Sequence, residues 1–251
     1  NLVLPTSLRC LSPCVALAAT LFAGLVGPAV ATPTLLVDVT SGRVLHQEDA
    51  TRPWYPASVT KLMTTYVALA QIREGKVRPE TLITYSALAQ EQDPSKMGFK
   101  AGAQFTLENA LRMLMVKSAN DVAVAIAENL GGSVEGFVAE MNRHAQRLGM
   151  DGTHWTNPHG LPDPDQVTTA RDMAILARAL IRDFPQADGL FRIPAIKLGK
   201  IFMRNHNALL HRYEGADGMK TGFICSAGFN VVASARRDGK RLIAVVFGAS
   251  S

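Results

Sequence analysis

The chain has 251 residues, which is the length of one large domain or of one domain with an appendage. Hydrophobic residues make up 47% of it and charged residues only 19%, so intrinsic disorder is excluded as its main character. The net charge of +5 is not concentrated in any run of basic residues, which gives little support to nucleic-acid binding. A folded protein with a buried core is therefore expected.

The N-terminal part of the chain has the pattern of a secretory signal. An apolar core at residues 15–26 is followed by a glycine and a proline, and small residues at 29–31 stand where a signal peptidase requires them. We expect residues 1–31 to be a signal peptide cleaved before Thr32, and residues 32–251 to form the exported domain. The alternative is a retained membrane-spanning helix, but the apolar core is short for that purpose and contains a glycine.

The three cysteines, at positions 10, 14 and 225, form no C-x-x-C motif with histidines at ligand spacing, so a structural zinc site is not expected. Removal of the signal peptide would leave Cys225 as the only thiol. An exported chain without disulfides fits a bacterial envelope. Cys225 has no obvious base partner nearby, and we expect it to be a small buried side chain.

The remaining chain is predicted to begin and end with β structure and to be largely helical between. Residues 34–47 are predicted to form a hairpin. Periodicity and capping signals predict five helices, over residues 59–75, 106–116, 119–130, 134–148 and 169–183. Three C-terminal strands are predicted, over residues 219–224, 229–235 and 242–247. The expected fold class is α/β (α+β): an antiparallel sheet built from both chain ends, packed with helices on its faces, plus a helical subdomain.

Ser58 stands at the start of the first long predicted helix, and Lys61 follows one turn later on the same face. A serine hydroxyl is a poor nucleophile until a base takes its proton. A lysine can do this only if burial or a neighbouring cation lowers its pKa. The pair therefore offers a nucleophile and a base together, although so short a motif also arises by chance and a solvated lysine is the ordinary alternative.

Two further motifs follow in order along the chain. Ser118-Ala-Asn120 lies at the junction of two predicted helices, and Lys220-Thr-Gly222 lies on a predicted strand. Each motif alone is weak evidence, but Ser-x-x-Lys, Ser-x-Asn and Lys-Thr-Gly together characterise penicillin-binding proteins and class A β-lactamases. The ordered set is far less expected by chance than any one of its members.

From about Thr34 to its end, the chain resembles the serine-type D-alanyl-D-alanine carboxypeptidases among the low-molecular-mass penicillin-binding proteins. The stretches that carry this resemblance are Tyr55-Pro-Ala-Ser-Val-Thr-Lys-Leu-Met-Thr, Lys117-Ser-Ala-Asn-Asp, Asn157-Pro-His-Gly-Leu, Thr168-Thr-Ala-Arg-Asp-Met-Ala and Asp217-Gly-Met-Lys-Thr-Gly-Phe. The resemblance implies a serine β-lactamase/transpeptidase-like fold and removal of the terminal D-alanine from peptidoglycan stem pentapeptides in the periplasm or at the outer face of the inner membrane. It also implies covalent inhibition by β-lactams, and no metal or other cofactor.

The resemblance, together with the chemistry above, gives catalytic roles to three side chains. Ser58 would attack the carbonyl between the two D-alanines, and Lys61 would accept its proton. Ser118 would relay a proton to the leaving amine.

Five further residues are expected to bind the substrate. Asn120 would hold the peptide amide, and Lys220 and Thr221 would hold the terminal carboxylate. The family pattern places the two oxyanion donors at the backbone N–H of the nucleophile and at that of Phe223, which directly follows Gly222.

Two other activities are possible on the same fold. A class A β-lactamase hydrolyses its acyl-enzyme with a glutamate that acts through a water, but no glutamate occurs between Glu140 and Glu214. The loop where such a base is sought offers only Asp151, Asp163 and Asp165. A D,D-endopeptidase that cuts peptidoglycan cross-links stays open, because these motifs do not separate exo- from endo-cleavage.

Functions outside the serine enzymes of this fold have less support in the sequence. A zinc amidase would need an H-E-x-x-H or a similar ligand set. The histidines available to it are His144, His154, His159, His206 and His211. A catalytically silent wall-binding protein is disfavoured because every nucleophilic element is intact. Family members commonly continue into a β-rich domain and a C-terminal membrane anchor, so we expect a catalytic domain shortened at its C-terminus and without that anchor.

Overall fold

The computed structural model describes residues 32–250. The expected signal peptide at residues 1–31 lies outside the described residues. Within the described range the helices are α1 (Lys61–Arg73), α2 (Ala87–Glu91), α3 (Leu107–Val116), α4 (Asn120–Gly131), α5 (Val134–Leu148), α6 (Ala170–Asp183) and α7 (Leu209–Arg212). The strands are β1 (Thr34–Asp38), β2 (Val44–Glu48), β3 (Leu82–Thr84), β4 (Gln104–Thr106), β5 (Ala195–Leu198), β6 (Ile201–Arg204), β7 (Ala216–Ile224), β8 (Gly228–Arg237) and β9 (Lys240–Ala249).

Both ends of the described chain meet in one antiparallel sheet, as the sequence predicts. Its strand order is β2-β1-β9-β8-β7, so the N-terminal hairpin joins the C-terminal strands through the pairing of β1 with β9. Alternate residues of β1, β8 and β9 are buried, among them Leu35, Val232 and Val245, and this face packs against α6. The β7 strand, which carries Lys-Thr-Gly, lies at an edge of the sheet.

Helix α1 lies in the centre of the helical part and packs against α3, α4, α5 and α6. Its side chains are small or apolar around nearly the whole circumference, which is typical of a helix surrounded by protein. Thr65 satisfies its hydroxyl by donating to the Lys61 carbonyl oxygen at 2.8 Å. Because protein surrounds the helix, its first residue, Lys61, lies in the interior.

The predicted elements are confirmed, with shifts at their ends. The predicted and observed bounds agree best for α5, and capping explains why. Ser133 accepts a hydrogen bond from the Gly136 N–H at the start of α5, and Gly149 ends the helix in the left-handed conformation. The first predicted helix differs at its start: residues 57–60 form a 3-10 turn, and α1 proper begins at Lys61.

One residue expectation was wrong. Cys225 is exposed, because it lies on the turn between β7 and β8 instead of inside the sheet. The two-stranded sheets β3–β4 and β5–β6 were not predicted. Across residues 32–250, no single helix is long and apolar enough to cross a membrane; α4 and α5 meet that test only as a pair bent by 86°.

Candidate active site

Ser58 lies in the 3-10 turn that precedes α1, and this turn is held in an unusual backbone conformation. Ala57 has a φ of 51°, in the left-handed region. The Thr60 hydroxyl donates to the Ala57 carbonyl oxygen at 2.8 Å and closes the turn. Gly160 packs so close that a Cβ there would overlap the Ala57 carbonyl. Strained backbone of this kind clusters at functional sites, where surrounding contacts fix it.

The structure brings Ser58 and Lys61 together. Lys61 Nζ lies 3.0 Å from Ser58 Oγ, 2.7 Å from Asn120 Oδ1 and 2.5 Å from the His159 carbonyl oxygen. These three acceptors use all three protons of the ammonium form, and the side chain is fully buried. The sequence alternative of a solvated lysine is therefore wrong.

Burial holds the pKa of Lys61 well below its usual range, and the positive charge of Lys220 lowers the same pKa further. The carboxylate of Asp121 opposes this effect. The pKa of Lys220 is itself lowered to about 7, again by burial. Both amines can therefore change protonation within a range that an ordinary exposed lysine does not reach.

Ser118 and Lys220 form a second pair beside the first. Lys220 Nζ donates to Ser118 Oγ at 2.9 Å and to the Thr221 carbonyl oxygen at 2.8 Å. Ser118 has a φ of 60°, in the left-handed region, and is separated from the start of α4 only by Ala119, the N-cap residue. Asn120, the first residue of that helix, is positioned by its amide group, which donates to the Asp93 carbonyl oxygen at 2.9 Å.

Strand β7 passes directly beside the Ser58 turn, and Gly222 makes this possible. A Cβ on Gly222 would lie 2.6 Å from Ser58 N and 3.1 Å from Val59 N, so any side chain would force the two segments apart. The backbone of Phe223 follows at once along the same edge strand. This close approach gives a physical reason for the glycine of the Lys-Thr-Gly motif.

A single cavity of about 550 Å³ joins these groups. It is lined by predicted site residues from separate elements, namely Ser58, Ser118, Asn120, Thr221, Gly222 and Phe223. Among the lining residues that the structure describes there is no aspartate or glutamate. The aspartates considered for β-lactamase-type deacylation, at positions 151, 163 and 165, are absent from this lining set.

The loop at residues 151–168 contributes to the site in a way that the sequence motifs did not predict. Gln166 accepts hydrogen bonds from the Thr156 and Asn157 N–H groups and donates to Thr60 Oγ1. Asn157 in turn accepts from the Gly160 N–H at 2.7 Å, which fixes the turn that presents the His159 carbonyl to Lys61. A carbonyl ligand carries no residue-type signature, but the polar Asn157-Pro-His-Gly stretch could have indicated the loop.

A buried carboxylate supports the other side of the site. Asp121 accepts hydrogen bonds from the Tyr85 hydroxyl at 2.9 Å and from the Met97 and Gly98 N–H groups at 2.8 and 2.9 Å. Burial and Asp121 together raise the pKa of Tyr85. These contacts hold the segment that precedes α3 against the start of α4, where Ser118 and Asn120 lie.

The histidines proposed as zinc ligands are dispersed. His144 packs edge-on against Tyr66, with ring centroids 5.3 Å apart, whereas His159 lies in the loop above α1. Burial and Lys61 lower the pKa of His159 to about 3, so its ring is neutral. Within residues 32–250 no three His, Cys, Asp or Glu side chains are grouped closely enough to hold a metal ion.

This arrangement has the parts that acyl transfer requires: a hydroxyl beside a buried amine, a second hydroxyl beside a second amine, and an edge strand that can align a peptide. The fold and the three motifs together are those of the penicillin-binding class of proteins. A family model described as D-alanyl-D-alanine carboxypeptidase, Peptidase S11, matches residues 28–251. The chain belongs to this family.

Curated relatives agree with this assignment. The D-alanyl-D-alanine carboxypeptidase DacA of Haemophilus influenzae is 38% identical over 231 residues, covering 90% of this chain and 59% of the relative. DacC of Escherichia coli is 37% identical over 224 residues, covering 86% of this chain and 56% of the relative. The chain thus spans somewhat more than half the length of the curated relatives it matches.

Solved structures give the same result. Penicillin-binding protein 5 from Haemophilus influenzae superposes with a TM-score of 0.84 at 38% identity, covering 88% of this chain and 66% of that one. The cefotaxime-bound penicillin-binding protein D2 from Listeria monocytogenes gives 0.79 at 28% identity, covering 88% of this chain and 90% of that one. The fold expected from the sequence is confirmed.

Proposed function

We propose that residues 32–251 are the catalytic domain of a serine D-alanyl-D-alanine carboxypeptidase, which removes the terminal D-alanine from peptidoglycan stem pentapeptides. The observation that carries the proposal is the fully buried Lys61 amine, 3.0 Å from Ser58 Oγ and in the same site as Lys220. Membership of the Peptidase S11 family and the names of the curated relatives support it.

In the first step, neutral Lys61 accepts the Ser58 proton as the serine oxygen attacks the carbonyl carbon between the two D-alanines. A C–O bond forms, and the carbonyl oxygen becomes an oxyanion. The amide C–N bond then breaks, and the Ser118 hydroxyl relays the proton to the nitrogen that leaves with free D-alanine. The remaining peptide is held as an ester on Ser58.

The backbone N–H groups of Ser58 and Phe223 are the proposed donors to the oxyanion. Gly222 is needed here, since any side chain would push β7 away from the serine turn and separate the two donors. Lys220 in its protonated form and the Thr221 hydroxyl bind the terminal carboxylate, and Asn120 holds the peptide amide. The free carboxylate is what distinguishes a carboxypeptidase substrate.

Water completes the cycle by attacking the ester carbon while Lys61 accepts a proton from it. The C–O bond to Ser58 breaks, the serine oxygen recovers a proton, and the shortened peptide leaves as a carboxylate. A β-lactam acylates Ser58 in the same way, but its leaving nitrogen stays tethered to the ester. No aspartate or glutamate among the described lining residues provides an additional base, which favours a slowly hydrolysed adduct.

We further propose that the enzyme acts outside the cytoplasm, in the periplasm or at the outer face of the inner membrane. The apolar core at residues 15–26 and the small residues at 29–31 support export and cleavage before Thr32. Peptidoglycan is assembled outside the inner membrane, so the substrate and the proposed location agree.

The direct test of the activity is to incubate the purified protein with a pentapeptide that ends in D-Ala-D-Ala and to measure the masses of the products by mass spectrometry. The proposal expects loss of one alanine residue from the peptide and an equal amount of free D-alanine. A cross-linked dimeric muropeptide, incubated in parallel, tests the endopeptidase alternative. Cleavage of the cross-link without release of D-alanine from the pentapeptide would contradict the proposed function.

A further inference from the structure

The hairpin formed by β5 and β6 carries apolar side chains that neither the core nor the proposed chemistry uses. Ile201 and Phe202 are each 63% exposed, the largest value among the large apolar residues of the range 32–250, and Leu198 is 39% exposed. None of the three belongs to the described lining of the cavity that contains Ser58. We call residues 198–202 the hairpin tip.

The strand register places these side chains on both faces of the hairpin. Leu198 pairs with Ile201, and Lys197 pairs with Phe202. Paired residues of an antiparallel ladder share a face, and successive pairs alternate between the two faces. Leu198 and Ile201 therefore lie on one face and Phe202 on the other, so the hairpin tip presents apolar surface in two opposite directions.

The base of the hairpin is fixed to the body of the protein. Ile196 packs against the core, and β5 contacts α3. The Asn205 N–H donates to the Pro194 carbonyl oxygen at 2.8 Å, and the Asn205 side-chain amide donates to that of Ile193 at 2.9 Å. The hairpin tip is thus the exposed end of an anchored element.

The charges of the hairpin are all positive. Lys197, Lys200 and Arg204 lie on it, and no aspartate or glutamate occurs between Asp188 and Glu214. None of the three cations forms an ion pair with a carboxylate of residues 32–250. The exposed apolar surface is therefore bordered by positive charge that the described chain does not neutralise.

This combination favours an anionic lipid bilayer over a protein as the binding partner. A flat protein surface covers only one face of a hairpin, whereas a fluid bilayer interface surrounds both. Lysine is also depleted at interfaces between proteins. A symmetric contact between two copies of this chain would bring the same cations together, which is unfavourable. Acidic phospholipid headgroups attract these cations, while the acyl region receives the apolar side chains.

We propose that the hairpin tip is a membrane-contact element, which inserts its apolar side chains among the headgroups of an anionic phospholipid bilayer. Lys197, Lys200 and Arg204 then lie at the level of the lipid phosphates. This inference goes beyond the proposed function and does not depend on the carboxypeptidase activity. A single hairpin gives reversible binding that salt weakens, because its cations are exposed to solvent.

The first test is co-sedimentation of the exported protein with lipid vesicles. We expect binding to phosphatidylglycerol vesicles to be at least about 10-fold stronger than binding to phosphatidylcholine vesicles. Ile201→Ser/Phe202→Ser should weaken binding to phosphatidylglycerol by at least about 10-fold. Leu82→Ser, at a 56% exposed position on β3, is the matched control and should bind as the wild type does. All variants carry the same N-terminus, so only differences between them are scored.

The cations are tested separately from the apolar side chains. Lys197→Gln/Lys200→Gln should weaken binding to phosphatidylglycerol by at least about 10-fold and leave binding to phosphatidylcholine unchanged. Lys240→Gln, at an exposed position at the start of β9, is the control for a lost lysine and should bind as the wild type does. Melting temperatures establish that each variant is folded.

A fluorescent reporter tests insertion without removing the apolar side chain. Phe202→Trp places an indole at the hairpin tip, in a chain whose other tryptophans are Trp54 and Trp155. Phosphatidylglycerol brominated on its acyl chains should quench this variant more strongly than the wild type. Leu82→Trp should show no such additional quenching. The reporter keeps the inference falsifiable even where the double serine variant does not fold.

Four results would overturn the inference. They are absence of wild-type binding to phosphatidylglycerol, equal binding of the wild type and Ile201→Ser/Phe202→Ser, equal binding of the wild type to both lipids, and equal quenching of Phe202→Trp and the wild type. A wild-type dimer in sedimentation that Ile201→Ser/Phe202→Ser dissociates would assign the hairpin tip to contact between two copies, and would overturn it as well.

Discussion

Two buried lysines set the chemistry of the site at the scale of single residues. Removing an ammonium group from water is unfavourable, and the protein offsets this in two ways. Each amine is surrounded by oxygen acceptors, and burial lowers both pKa values, that of Lys61 being lowered further by the charge of Lys220. One lysine can then be neutral while the other carries the charge that a carboxylate needs.

Lys61→Arg tests the base directly. Arginine keeps the positive charge but stays protonated, so it cannot accept the Ser58 proton. We expect penicillin acylation to slow by about 10²–10⁴-fold, the usual contribution of a general base. The rate is measured after thermal melting and circular dichroism confirm the fold. A folded variant that acylates within a few-fold of wild type would refute the assignment of Lys61 as base.

The pH profile tests the division of roles between the two lysines. Lys61 must be neutral, so kcat/KM for a D-Ala-D-Ala peptide should rise as the pH increases through the lowered Lys61 pKa. Lys220 must be protonated to bind the carboxylate, and its pKa is about 7 in the free enzyme, so kcat/KM should fall as the pH increases through that value. A bell-shaped profile is therefore expected.

Lys220→Arg should remove the alkaline limb of that profile, because arginine stays charged throughout the measurable range. The acid limb, which belongs to Lys61, should remain. Lys240→Arg, at an exposed position at the start of β9, is the control and should leave both limbs in place. An alkaline limb that persists unchanged in Lys220→Arg would show that another group is responsible for it.

At the scale of elements, the site depends on how closely β7 approaches the turn before α1. Gly222→Ala would place a Cβ 2.6 Å from Ser58 N and so displace the strand. We expect acylation to fall by about 10²–10³-fold, as when one oxyanion donor is lost. Gly189→Ala is the matched control, because a Cβ there meets nothing within 4 Å. Equal activity of the Gly222 and Gly189 variants would contradict the role of the close approach.

The elements also show what the sequence could and could not predict. Ser133 caps the start of α5 and Gly149 caps its end. Both are strong capping signals, so the range of α5 was predicted without error. Strands β3 and β4 have three residues each, too few for an alternating pattern to stand out. Cys225 falls between the predicted strands 219–224 and 229–235, but it was expected to be buried because free cysteines usually are, and its place on the turn exposes it.

The candidate site was predictable to the extent that its chemistry resides in side chains of characteristic spacing. Lys61 meets Ser58 as the Ser-x-x-Lys spacing indicates. The contact of Lys220 with Ser118 was not predicted, because it depends on how β7 lies against the start of α4. The contact of Lys61 with the His159 carbonyl was not predictable, because a backbone acceptor is independent of residue type. Its position follows only from the folded loop that Gln166 holds in place.

At the scale of the whole molecule, a buried ionic cluster joins distant parts of the chain. Arg241 on β9 contacts Asp188 at 2.7 Å and Asp217 on β7 at 3.0 Å, and it is only 8% exposed. Arg236 also contacts both aspartates, at 2.9 and 2.8 Å. The cluster links the segment that follows α6 to the base of the strand that carries Lys220.

Arg241→Ala should therefore destabilise the entire fold, since it leaves the two buried carboxylates with only the exposed Arg192 and Arg236 as charged partners. We expect the free energy of unfolding to fall by roughly 3–5 kcal/mol in urea. Arg237 is the control: its side chain is 83% exposed and lies 3.9 Å from Asp238. Arg237→Ala should change the free energy of unfolding by less than about 0.5 kcal/mol. Similar unfolding midpoints for the two variants would show that the cluster contributes little.

Intact mass measurement with benzylpenicillin tests most directly whether Ser58 is the nucleophile. The wild-type protein should gain one equivalent of penicilloyl mass, located in a peptide that contains Ser58. The adduct should be long-lived, because no carboxylate lines the described part of the cavity. Ser58→Ala should gain none while keeping the same melting temperature. Labelling that survives unchanged in Ser58→Ala would contradict the account, and rapid release of hydrolysed penicillin by the wild type would contradict the slow deacylation inferred here.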